Sequence, residues 1–295
     1  MRKTILLLAC VFCWEISLAQ LPNTNIYLFK MEQLNDSLFL FKNPQLLTGF
    51  NSDGYNNQPT FISNNEVYFS MGRADADGQT DIIALDLTNQ VKTQVTLSAD
   101  REYSPTPMLE PFYFSCIRQE ADGKNTQRLW FFPMDRSSNG RPVLSNQTNV
   151  GYHCWLKNEL VALFIVGEPH KLALANTRDQ SVKFLESDIG RCFQRMPNGN
   201  LAFIDKSESA SWKIKELDLN TLRSATIVTT PPQSEDFVVL PDNTFLMAKG
   251  SQIFKYKKGW DTAWLKIGDF TNLGLKAITR LALSSDGKLA VVNVK

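Results

Sequence analysis

One short pattern recurs along this chain: an apolar pair, a polar turn of Asn, Asp, Gly or Ser, then a second apolar run. It first stands complete in PTFISNNEVYFS, and its equivalent apolar residues are Ile62, Leu109, Leu156, Met196, Leu240 and Leu283. Their separations are 47, 47, 40, 44 and 43 residues. Self-similarity at such a period means a repeat architecture, because one supersecondary unit cannot bury its apolar face alone. After each of the first five hairpins come two more short runs rich in aromatic and β-branched residues. The first blade's are residues 81–87 and 94–97. No segment carries a capped apolar stripe of period 3.6. Four strands per unit of about 45 residues is the pattern of a β-propeller blade.

The ends of the chain predict how the ring closes. The sixth hairpin runs out near Val292, two strands short of a blade. Two unclaimed strand-like runs lie near the start, at residues 26–31 and about 45–48. The expected fold is therefore all-β: a six-bladed propeller of four-stranded antiparallel blades, the last completed by the N-terminal strands. Such closure removes a free sheet edge. The apolar run Leu38-Phe39-Leu40-Phe41 has no place in this register.

Residues 1–19 have the form of a secretory signal, with basic Arg2-Lys3, an apolar core and Ser17-Leu18-Ala19 before the cut. The propeller would then span 20–295, exported to the periplasm or beyond. A lipid anchor on Cys10 is the competing reading, since Leu7-Leu8-Ala9-Cys10 resembles a lipobox. Without residues 1–19 the chain carries 29 basic and 29 acidic side chains. That balance argues against nucleic acid as partner, which would need a basic face. Three cysteines remain, Cys116, Cys154 and Cys192; their spacing is not that of a zinc site, and a Cys154–Cys192 bridge stays open.

The set NNQPTF, EYSPTP, GYHCW, IGRC, EDF and ITRLALSSDGKLAVV resembles the WD-like repeats of TolB-like six-bladed propellers, in particular a secreted bacterial group. The resemblance covers essentially the whole chain after residue 19. It implies a monomeric propeller outside the cytoplasm.

Stacking the repeats aligns the loops that enter each first strand. They bring Tyr55, Asn57 and Gln58 together with Glu102, Tyr103, Tyr152, His153, Arg191, Glu235, Asp236 and Arg280 on one rim. Mixed charge of this kind suits a protein partner or a small polar or zwitterionic ligand, with Arg191 and Arg280 as anion clamps. No nucleophile elbow, zinc-protease motif or phosphate loop is present. Binding without cofactor or metal is the favoured expectation. The alternatives are a hydrolase or lyase at the same channel mouth, using His153 with Glu102 or Asp236, and an architectural envelope protein. Asp75, Asp77 and Asp81 lack calcium-loop spacing and read as turn residues.

Overall fold

The computed structural model describes residues 21–75 and 78–295. The signal-like segment and Asp77 lie outside the described residues. Among those described, six four-stranded antiparallel sheets stand in a ring. The innermost strands of blades 1 to 6 are Tyr55–Ser63, Arg101–Pro107, Val150–Lys157, Ile189–Arg195, Phe237–Val239 and Ala277–Leu283. In blade 6 the ladder continues from Ala277–Leu283 to Lys288–Val294, then to Thr24–Gln33 and Phe39–Leu46. Thr24 pairs with Val294, so the N-terminal strands do complete the last blade.

The repeat pattern works because each hairpin turn is locally encoded. In PNG and SDG the turn needs a left-handed residue, and Gly199 and Gly287 both adopt φ of 86°. The Asn198 carboxamide oxygen accepts the N–H of Asn200, and Ser284 Oγ accepts that of Lys288. Alternation along the strands then sends one apolar set to each neighbouring blade. The result is six separate cores, one per junction. Between blades 6 and 1, Ile26, Ala290 and Val292 meet Val67, Phe69 and Ile83. Between blades 1 and 2, Tyr68 and Ile82 meet Phe114, Cys116 and Phe132.

One expectation about the strands needs correction. The second N-terminal strand is Phe39–Leu46 rather than 45–48, which places the apolar run that had no home. Phe41 packs edge-on against both Phe29 and Phe270, at ring separations of 6.4 and 5.2 Å. Blade 2's inner strand is seven residues long despite Pro105 and Pro107; the short one is blade 5's, with three. Cys154 and Cys192 form no bridge, and all three cysteines described are free thiols. Burial raises the thiol pKa of each. Among the described residues, no helix is long and apolar enough to cross a membrane.

Candidate functional site

Most of the residues expected in entering loops lie inside the inner strands themselves. Only Glu235 and Asp236 precede their strand. The ladders slip in register at matching levels: between Asn57 and Thr60, Tyr103 and Thr106, Val150 and Tyr152, Ile189 and Phe193, and Ile278 and Arg280. A bulge of this kind bends a strand and re-aims its side chains. In blades 1 and 2 the bulge residues are Gln58 and Ser104, each at φ 55° and each followed by proline. A non-glycine residue at positive φ is uncommon. The surroundings hold both in place. Asn57 Oδ1 accepts the Gln58 N–H at 2.8 Å, and Gln58 Oε1 accepts the Ser104 N–H at 2.9 Å and the Ser70 hydroxyl at 2.9 Å.

Inside these bulges lies an axial cavity of about 210 Å³ lined from all six blades. Its wall carries Gln58, Ser104, Tyr152, His153, Arg191, Asp236 and Arg280, with Pro59, Pro105, Phe193 and Leu281 as apolar surface. A larger cleft of about 700 Å³ opens on the rim between blades 4, 5 and 6. The two share Arg191 and Asp236.

The charged groups divide into two sets. Arg280 Nη1 meets Asp236 Oδ2 at 3.2 Å, and its Nη2 donates to the Tyr152 hydroxyl at 2.9 Å. Asp236 Oδ1 accepts the Leu281 N–H at 2.9 Å. Burial pushes the Asp236 carboxyl upward against the pull of Arg280. This set is internally satisfied, so Arg280 acts first as a structural tie between blades 3, 5 and 6. Replacing Tyr152 by Phe should lower the unfolding free energy by about 1.5–3 kcal/mol, the usual worth of a hydrogen bond to a charged group. Chemical denaturation checks it, and an unchanged midpoint would contradict the tie.

The second set is left open. Glu235 Oε1 takes the Arg191 backbone N–H at 2.6 Å and Lys206 Nζ at 2.9 Å. Glu235 can approach because residue 190 is glycine; a Cβ there would sit 2.8 Å from the carboxylate. Together with Arg191, Lys206 holds the Glu235 carboxyl below its usual range. Arg191 Nε forms an ion pair with Glu235 Oε2 at 3.6 Å, beyond hydrogen-bond distance, and has no hydrogen-bond partner.

His153 sits in the wall at 8% exposure, and Nε2 is 2.7 Å from Ser115 Oγ. Trp155 Nε1 donates to the same hydroxyl at 2.8 Å. The hydroxyl also lies 3.4 Å from the Thr106 carbonyl. His153 Nδ1 is buried and has no hydrogen-bond partner. Burial alone lowers the His153 pKa to about 3, so the ring is neutral near pH 7.

The remaining candidates stand elsewhere. Glu102 points away from the axis into the junction of blades 1 and 2. There it is bonded to Arg118 at 3.0 Å, Ser98 at 2.8 Å and Thr96 at 3.3 Å. Among the described residues no hydrogen bond joins it to His153. Tyr55 is buried within electrostatic reach of Arg280, Tyr152, Tyr103 and Arg191, and burial raises its hydroxyl pKa. Neither Tyr55 nor Tyr103 lines the cavity. Asn57 serves the Gln58 turn, and Glu235 lines the rim cleft. Ser104 was the residue missed as a candidate. The matching QPT and SPT triplets at 58–60 and 104–106 were the available signal.

No family model matches the chain, and no curated protein matches it in sequence. Solved structures do match in fold. A putative TolB from Agrobacterium tumefaciens aligns with a TM-score of 0.67 at 8% identity, over 93% of this chain and 99% of that one. TolB from Acinetobacter baumannii aligns at 0.56 and 10% identity, over 92% of this chain and 64% of that one. An oligogalacturonate lyase in complex with manganese aligns at 0.54 and 13% identity, over 88% and 83%. At these identities the likeness concerns architecture, and the chain has the six-bladed propeller fold seen in the TolB structures.

Proposed function

We propose that the protein is an exported, monomeric, non-catalytic propeller that binds a small polar ligand in its axial channel. One observation carries the reading. Six blades converge on one cavity whose wall sets polar groups, among them Gln58, Ser104, Tyr152, Arg191 and Arg280, beside apolar surface from Pro59, Pro105, Phe193 and Leu281. A concave space with a few convergent polar groups is the usual setting of a small-molecule site. The export reading rests on residues 1–19 and on the resemblance to TolB-like propellers.

A hydrolase or lyase at the same site would need a base that titrates near neutrality. His153, held near pKa 3 and bonded to Ser115 rather than to a carboxylate, is poorly suited to that task. Both TolB and lyase structures share the propeller, and one fold hosts many chemistries, so fold carries no preference.

The test is a thermal-shift screen of the chain without residues 1–19 against amino acids, short carboxylates, amines and neutral sugars. At least one class should raise the midpoint in a concentration-dependent way. The rise should fall in Arg191→Ala. Arg280→Ala is the poorer control, since it strands the buried Asp236. If no class shifts the midpoint, the ligand reading fails and a purely architectural role gains.

A further inference from the structure

We infer that the axial cavity is built for a small carboxylate carrying a single negative charge, with Arg191 as the charge partner that the ligand completes. This rests on the channel being a ligand site and specifies what enters it. The first support is charge. Asp236 is committed to Arg280 and Leu281, and Glu235 to Lys206 and the Arg191 backbone. Lys206 Nζ also lies 4.0 Å over the Trp212 ring. Counting Arg191, Arg280 and Lys206 against Glu235 and Asp236 leaves one positive charge, shared by the two cations that flank Glu235, and of these Arg191 is the one that lines the cavity.

The second support is the polarity of the groups left to bind. The Arg191 guanidinium carries donors only, the Ser104 hydroxyl can donate, and the carboxylate in the wall, Asp236, is taken by Arg280 and Leu281. An amine or ammonium group would bring more donors to that wall. A carboxylate brings only acceptors, about four lone-pair directions on two oxygens. This narrows the zwitterion expected from the rim composition to an anion.

The third support is size and lining. About 210 Å³ corresponds to roughly seven waters at liquid density, at ~30 Å³ each. Pro59, Pro105, Phe193 and Leu281 give the remaining wall an apolar character that a short alkyl chain matches.

The experiment is calorimetric titration of the chain from residue 20 with sodium acetate, propionate and butyrate. Acetamide, propionamide and inorganic phosphate are matched controls, and the compounds of the broader screen serve as reference. The carboxylates should bind, and the amides should bind at least about tenfold more weakly. Arg191→Gln should lose at least about tenfold in carboxylate affinity, because it removes a charge-assisted donor. Ser104→Ala should lose a few-fold while unfolding at the wild-type temperature. Equal binding of amides and carboxylates, phosphate binding as tightly as butyrate, or full affinity in Arg191→Gln would each overturn the assignment. If sugars or amines bind and carboxylates do not, the ligand site stands and its carboxylate character falls. If nothing binds, both fall together.

Discussion

Glu102→Gln is expected to separate from the wild type in a pH-dependent way, by on the order of 3 kcal/mol between pH 8 and pH 4. Glu102 is fully buried, and burial pushes its carboxyl up to about 7 although Arg118 stands at 3.0 Å. A carboxyl raised in the folded state binds its proton there before it would in the unfolded chain. Its contribution is therefore largest at low pH and is lost as pH rises from 4.5 through about 7. At about 1.4 kcal/mol per pH unit, that window yields the figure above. Glutamine imitates the protonated acid and keeps no such dependence. On acidification the wild type should gain on the variant.

His153 acts in the opposite sense. Its folded pKa is depressed to about 3, so the stability of the neutral buried ring is present above 6.5 and lost as pH falls toward 3. Between 6.5 and 4.5 the two groups offset one another, and wild-type stability should be nearly level there. Below 4.5 the histidine acts without the offset, and stability should drop. In Glu102→Gln the decline should begin near 6.5. Urea titrations at four pH values decide it. A constant gap between variant and wild type would show that Glu102 does not carry the raised pKa. A gap moving the other way would show that Arg118 dominates.

The second large effect concerns ring closure. Phe29 is 1% exposed on the strand Thr24–Gln33, stacked on Phe270 at 4.4 Å and flanked by the edge of Phe41. Phe270 sits just after the outermost strand of blade 5, so this cluster pins the N-terminal strand to the neighbouring blade. Phe29→Ala should cost about 3–5 kcal/mol, from lost transfer energy plus the cavity. Phe29→Leu should cost less than half of that. Phe41→Ala should also cost less, since its ring is only partly buried. Denaturation midpoints read all three. A loss below about 1 kcal/mol in Phe29→Ala would mean that closure is anchored elsewhere.

The blade count and the mode of closure were legible because both rest on local signals. Turn residues such as Gly199 and Gly287 recur at a fixed offset from apolar pairs, and that is enough to count blades. The strand Phe39–Leu46 was not legible as a strand, because what orders Phe41 is Phe270, far away in the chain. The rim was legible as a set of residues but not as a surface. Stacking the entering loops put Glu102 among the axial groups. The bulges at Gln58 and Ser104 shift which residues look inward, and the matching QPT and SPT triplets were their local trace. The Arg118–Glu102 pair was invisible for a related reason: Arg118 stands beside Gln119 and Glu120 at the end of its strand and reads as a solvated strand end.

Thr24 paired with Val294 also bears on how the ring assembles. Five blades are made of neighbouring sequence and can assemble as it emerges during synthesis. The sixth needs the first and last strands at once. Loop-closure entropy grows only logarithmically, so joining the ends costs about 1.6 kcal/mol more than closing one repeat. The step is cheap at equilibrium but belongs last in time. A product stopped before Lys288–Val294 would leave Thr24–Gln33 an unpaired edge carrying Ile26 and Phe29, a target for aggregation or proteolysis. Thr24–Gln33 is thereby put away only once Lys288–Val294 has been made.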